Sequence, residues 1–207
     1  MAATSYSPPE EQLAQLTLRE RKKLRTRVAI RRATYRLISE QGYEATTVEQ
    51  IAEASEVSPS TVFRYFPTKE EIVLTDEYDP LIVAALRARP AGEPPLASLR
   101  AVLTEALETA AAREHEALVA RTRLSAEVPA VRARLAETTS VLAKRLAAVL
   151  AERTGRDPDD LALRVSVAAV LNTLGEAVLY WGEHGCEGDP TALAHRALDT
   201  LEGGLRL

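Results

Sequence analysis

The chain of 207 residues has a single cysteine, a single tryptophan and two phenylalanines. Cys186 has no internal partner, so no disulfide staples the fold, and a reducing compartment is its natural setting. Aromatics make up only 4% of the chain, which leaves Leu, Val and Ala to fill a core. No window approaches the roughly 18 unbroken apolar residues of a membrane-spanning helix. The opening MAATSYSPPEEQ has no basic start followed by an apolar run, so no secretory signal and a cytoplasmic location are expected. There is no Ser/His/Asp set, no glycine-rich phosphate loop and no pair of carboxylates in a helical metal motif, so an enzyme is not expected, and neither is a cofactor. His184, Cys186 and His195 invite a metal reading, but His-x-Cys with a second His nine residues on matches no closed zinc spacing and lacks a fourth ligand, so no metal is expected.

Ala, Leu, Glu and Arg dominate what is present, and no alternating run of β-branched residues interrupts them, so the expected fold is all-α. Helix starts are well marked. Thr17 with Glu20, Thr47 with Gln50 and Thr68 with Glu71 have the spacing of a capping box. Ser58-Pro59, Asp157-Pro158 and Asp189-Pro190 each set a cap residue before a proline suited to the first helical position. These signals predict about nine helices, over 18–41, 48–54, 59–65, 69–89, 96–112, 114–126, 129–154, 158–184 and 190–203. The fourth is expected to bend at Asp79-Pro80, and the clearest linker is 90–95. The domains expected are a flexible N-terminus over 1–17, a three-helix DNA-binding domain over 18–67, and an antiparallel helical bundle for ligand binding and dimerisation over 68–207.

The net charge of −4 is unevenly distributed. Between Leu16 and Lys69 eleven basic residues face six acidic ones, a surplus of five, so the remainder carries the acidity. A basic end on an acidic body suits a protein that offers only that end to a polyanion, although a solvated basic helix face accounts for the charge equally well. Within this end, TTVEQIAEASEVSPSTVFRYFPTK (46–69) reads as two short helices and a turn. Val48, Ile51, Ala52 and Val57 fall on one buried face, and Val62 and Phe66 point the same way. Pro59, Ser60, Thr61 and Arg64 remain outside. Small and hydroxyl side chains can approach base edges, and Arg64 can reach a guanine or a phosphate. Thr47 and Lys69 are placed to meet phosphates, and Phe63 and Tyr65 are assigned to the DNA side. Arg21, Lys22 and Lys23 are expected to track the backbone beside them.

These residues resemble the TetR/AcrR family of transcription regulators. The likeness runs in register over about 50 residues, through Ile30, Ala33, Leu37, Ile38, Gly42, Tyr43, Thr46-Thr47-Val48, Ile51-Ala52, Val57-Ser58, Thr61, Phe63, Tyr65-Phe66, Lys69 and Ile72. It implies an all-α homodimer with a helix-turn-helix on the second and third helices and an effector pocket in the C-terminal bundle. It also implies that the family's DNA contacts fall on Thr47, Pro59, Ser60, Thr61, Phe63, Tyr65 and Lys69. Three positions depart from the pattern: Glu56 and Ser60 stand where glycine is common, and Phe63 stands where tyrosine is usual. The segments 74–80, 121–124 and 128–134 are similar to the branch with acyl-CoA-like or mycofactocin-regulator-like C-terminal domains, which implies an apolar, acyl-type effector.

In the body, the 158–184 segment has two apolar stripes. One is Leu161, Val165, Ala168, Asn172 and Leu179; the other is Leu163, Val167, Val170, Leu174, Val178 and Trp181. A helix apolar on two faces needs cover on both, so the eighth and ninth helices are expected to pair with their copies across a two-fold axis. Asn172 and Glu176 share a face and either orient a ligand or bond across that axis. Arg121 and Arg123 are either surface residues or partners for an anionic head group. The expected function is a ligand-responsive regulator: a homodimeric repressor on a palindromic operator, released when an effector shifts the helix beginning at Lys69. A small helical enzyme or carrier and a constitutive DNA-binding protein are the alternatives.

Overall fold

The structure, a computed structural model, describes residues 17–74 and 79–206. Most of the predicted N-terminal segment and residues 75–78 of the predicted fourth helix therefore lie outside the described residues. The described residues form ten α-helices and no strand: α1 (Leu18–Gln41), α2 (Val48–Ala54), α3 (Pro59–Tyr65), α4 (Lys69–Leu74), α5 (Asp79–Ala88), α6 (Pro95–Arg113), α7 (His115–Glu127), α8 (Pro129–Thr154), α9 (Leu161–Glu183) and α10 (Pro190–Glu202). They fall into two units, divided between Thr75 and Asp76. The predicted boundary at 67/68 lies before α4, whereas α4 packs on α1 within the first unit.

Local chemistry sets most helix ends. The Thr17 and Thr47 capping boxes both form, each hydroxyl accepting from the backbone three residues on while Glu20 or Gln50 reaches back. α1 stops at Gly42 with φ 87°, a backbone that side chains with a Cβ rarely adopt. The bend expected at Asp79-Pro80 falls at the edge of the described residues, where α5 is described from Asp79. One predicted start differs. Asp157 closes a turn by accepting from Asp159 N, and the N-cap falls to Asp160, whose carboxylate accepts from Leu163 N at 3.0 Å. α9 therefore begins three residues later than its proline suggests.

In the first unit, Ile30, Ile51, Ala52, Val62, Phe66 and Ile72 make one core. Such a small unit needs a large anchor, and fully buried Phe66 provides it, with the Arg27 guanidinium stacked 5.1 Å from its ring centre. In the second unit, α5, α6, α8, α9 and α10 share a Leu/Val/Ala core around Leu99, Leu146, Leu150 and Val167. The predicted linker 90–95 is an internal turn of this unit. Arg153 pins it by donating to the carbonyls of Arg89 (2.6 Å) and Pro90 (2.8 Å), and Arg89 pairs with Glu93.

Candidate nucleic-acid interface

The site is built on the turn between α2 and α3. The chain reverses through Ser55, Glu56 and Val57, with Glu56 left-handed at φ 55°. A turn that usually recruits glycine is therefore made here by an L residue whose carboxylate stays in solvent. The turn is closed by Val57 N donating to Ala52 O at 2.9 Å. Ser58 then caps α3, accepting from Thr61 N at 3.2 Å.

α3 is anchored from below by Val62 and Phe66 and presents Pro59, Ser60, Phe63 and Arg64 to solvent. Phe63 is 49% exposed, unusual for a ring in a unit with so few aromatics, while Tyr65 is half-buried against the core. The hydroxyls are linked: Ser58 Oγ lies 2.9 Å from both Ser60 Oγ and Thr61 Oγ1, and Arg64 Nη2 donates to Thr61 Oγ1 at 3.4 Å. The Arg64 guanidinium also lies 5.4 Å from the Tyr65 ring centre. This one weak hydrogen bond leaves most of the Arg64 donor fork available. Thr47 is exposed at the start of α2 and uses its hydroxyl oxygen as an acceptor, so its proton remains for an outside acceptor.

Lys69 occupies a different setting from the open one its position suggests. Its ammonium donates to the carbonyls of Tyr43 (2.8 Å) and Thr46 (3.1 Å) and sits 3.9 Å from the Tyr43 ring centre. Two of its three protons are committed, leaving one for another acceptor. Tyr43 donates its hydroxyl to Glu70 at 2.6 Å. Burial pushes the Tyr43 phenol well above its ordinary value, helped by that carboxylate. Burial opposes ionisation of Glu70 too, yet the hydrogen bond from Tyr43 leads the contributions that keep its carboxyl below the usual range. This Lys69–Tyr43–Glu70 cluster ties α4 to the 42–46 turn. No sequence signal marks it, because nothing local links residues 26 positions apart.

The basic stretch lies wholly within α1. Lys22 and Lys23 are exposed and Arg21 is half-buried, and as consecutive helical residues they fan out by about 100° each instead of sharing a face. In the body, Asn172 and Glu176 lie on the exposed face of α9, with Asn172 donating to Ala168 O at 2.8 Å; the structure does not bring them into the bundle interior. Arg123 is exposed and donates to Gly185 O at 3.2 Å, while Arg121 is half-buried one residue from Thr122. His184 stacks on Tyr180 at 3.9 Å, and His195 lies 3.5 Å from Glu108. The two histidines of the suggested metal trio therefore have separate partners.

A profile of bacterial regulatory proteins of the tetR family matches residues 30–75, and one of the MftR C-terminal domain matches residues 93–206. The HTH-type transcriptional regulator TcmR of Streptomyces glaucescens is 39% identical over 168 residues, spanning 78% of this chain and 74% of that protein. Among solved structures, the fatty acid degradation regulator FadR from Bacillus halodurans aligns with a TM-score of 0.59 and 26% identity over 87% of this chain and 96% of that one. The Thermus thermophilus FadR, a TetR-family repressor in complex with lauroyl-CoA, aligns with a TM-score of 0.56 and 26% identity, covering 87% and 95%.

Proposed function

The chain belongs to the tetR family of bacterial regulatory proteins, and from that premise we propose that it is a homodimeric repressor released from a two-fold symmetric operator by a small apolar or acyl-type effector. It is a DNA-binding transcription regulator and not an enzyme. The observation that carries the DNA reading is the division of α3 into a buried side, Val62 with the Phe66 anchor, and an outer side of Pro59, Ser60, Phe63 and Arg64. A helix so anchored can enter a major groove without disturbing its own core. In this reading Ser60, Thr61 and Arg64 meet base edges, and Thr47, Tyr65 and the remaining proton of Lys69 meet phosphates. Phe63 packs on sugar or thymine methyl, and Arg21, Lys22 and Lys23 add sequence-independent charge. Acting on bacterial DNA places the protein in the cytoplasm.

Dimerisation is supported by α9. Its Leu163/Val167/Trp181 face is buried, while Leu161 is 75% and Val165 57% exposed on the other. By length and composition alone α9 would suit a membrane. Its exposed residues, however, include Arg164, Asn172 and Glu176, which are costly in hydrocarbon and ordinary in an interface. A second copy pairing through α9 and α10 covers the apolar residues and lets Asn172 and Glu176 bond across the axis. The acyl-type effector rests on the MftR-type C-terminal match and on the lauroyl-CoA held by the Thermus relative. Effector and operator then bind antagonistically, with one reciprocal coupling energy.

Footprinting of the DNA upstream of the protein's own gene, with and without long-chain acyl-CoA, tests the proposal. The expected result is protection of two half-sites about one helical turn apart, lost on adding acyl-CoA. No protection even in dilute buffer defeats the DNA reading, and protection indifferent to acyl-CoA defeats the effector.

A further inference from the structure

We propose that Tyr43 is a positioning residue for DNA binding: its hydroxyl holds the Glu70 carboxylate away from the adjacent Lys69 ammonium, which leaves that ammonium's charge available to a phosphate. This inference rests on the reading of the first unit as a DNA-binding head. It gives a role to two side chains outside the contact residues expected from the sequence.

Lys69 and Glu70 are neighbours of opposite charge at the start of α4, the kind of pair that electrostatics would join. Each is tied to the same tyrosine instead. The ammonium lies 3.9 Å from the centre of the Tyr43 ring and donates to the carbonyls of Tyr43 and Thr46 at 2.8 and 3.1 Å. The carboxylate accepts from the Tyr43 hydroxyl at 2.6 Å. Tyr43 is only 8% exposed, so a buried ring stands as a spacer between the two charges. Burial opposes ionisation of Glu70, and among the contributions that favour it the Tyr43 hydrogen bond comes first. Bonds from its own backbone and from Thr68 follow, and the attraction to Lys69 is last. Burial, and then the carboxylate, push the Tyr43 phenol up, so it stays protonated and keeps donating.

The tether matters because of what Lys69 is held beside. Its ammonium grips the carbonyl of Thr46, one residue before Thr47, whose exposed hydroxyl keeps a proton for an outside acceptor. The two phosphate-seeking groups are thus fixed in one neighbourhood. A lysine paired with a carboxylate would bring no net charge to a phosphate and release no counterion when it binds, and the carboxylate itself would repel the phosphate. Backbone carbonyls and a ring face hold the ammonium in place without neutralising it. The hydroxyl at the edge of that ring occupies the one carboxylate poised to do so.

Tyr43→Phe keeps the ring under the ammonium and removes only the hydroxyl, which frees Glu70 to turn to Lys69. Affinity for the upstream DNA is titrated across salt for the parent, for Tyr43→Phe, and for Tyr43→Phe combined with Glu70→Gln. The single variant should give a slope of log affinity against log salt shallower by about 0.9, one phosphate contact fewer. The double variant should return to the parental slope, because the carboxylate that masked Lys69 is gone. A merely structural role for Tyr43 would not be repaired by removing its partner. An unchanged slope in the single variant, or a double variant as shallow as the single one, overturns the proposal. A second measurement needs no DNA. Lysines occur only at positions 22, 23, 69 and 144, so the Lys69 ammonium resonance can be identified by its loss in Lys69→Met. It should move in Tyr43→Phe and return in the double variant; a signal that stays put, or moves equally in both, also overturns the proposal. Parental DNA binding with an unaltered slope in Tyr43→Phe defeats the positioning role alone. A parent that ignores its upstream DNA defeats the regulator reading, and the Lys69 resonance still decides whether Tyr43 keeps the carboxylate off the ammonium.

Discussion

Glu56 holds a left-handed backbone where most turns of this kind would recruit glycine. Its side chain is exposed, so little offsets the steric cost. Glu56→Gly should therefore stabilise the first unit by up to about 1 kcal/mol, the glycine's own entropy loss being smaller than the relief; urea denaturation measures it, and a lower midpoint would mean the carboxylate makes a contact of value. At Gly182 the sign reverses. Ala there would drive its Cβ into the Thr122 methyl and backbone oxygen, both fixed in α7. A loss of about 1–3 kcal/mol is expected from such overpacking, read as a fall in the thermal midpoint, and an unchanged midpoint would show that α7 and α9 can separate cheaply.

The helices themselves were largely legible, because a cap is written in four adjacent residues: Thr17 with Glu20 and Thr47 with Gln50 act as their spacing says. The misreadings have a physical pattern. Asp157-Pro158 and Asp160 both resemble a start, and only the closed turn between them selects the second. The division of α3 into buried and exposed residues was legible for the same reason, since Val62 and Phe66 are separated from Pro59, Ser60, Phe63 and Arg64 within two turns. What escaped are partners far along the chain: Lys69 with Tyr43, Thr122 with Gly182, and Arg153 with the 89–90 carbonyls. That last contact belongs to a turn with its own pH signature. Hydrogen bonds from Arg89, then Ser98, push the Glu93 carboxyl from an ordinary 4.5 down to about 2. A folded value below the unfolded one stabilises the fold above 4.5, and this contribution disappears as the pH falls toward 2. The stability gap between the parent and Glu93→Gln should therefore be full near neutrality and close over that interval, and a gap that is flat with pH would remove Glu93 from the turn's support.

Across the whole molecule, the basic surplus is confined to residues 16–69, so salt should act on DNA binding through that segment of the first unit. Changing Arg21, Lys22 and Lys23 together to Ala should flatten the plot of log affinity against log salt by about 0.9 for each of the three that meets a phosphate; an identical slope would take all three out of the interface. Assembly is governed from the other end. Val165→Asp sets a charge in the exposed apolar stripe of α9, and in the proposed dimer it should give monomers in sedimentation together with a large loss of operator affinity; a dimer that persists would place the interface elsewhere.

The same stripe makes abundance part of the folding problem. If α9 hides its outer leucine and valine only against a twin, then unfolding and separation share one equilibrium, and the melting point climbs with protein concentration. A few molecules per cell would then be less robust than the same chain in a concentrated tube, so stability measured at the bench is an upper limit for the protein at work.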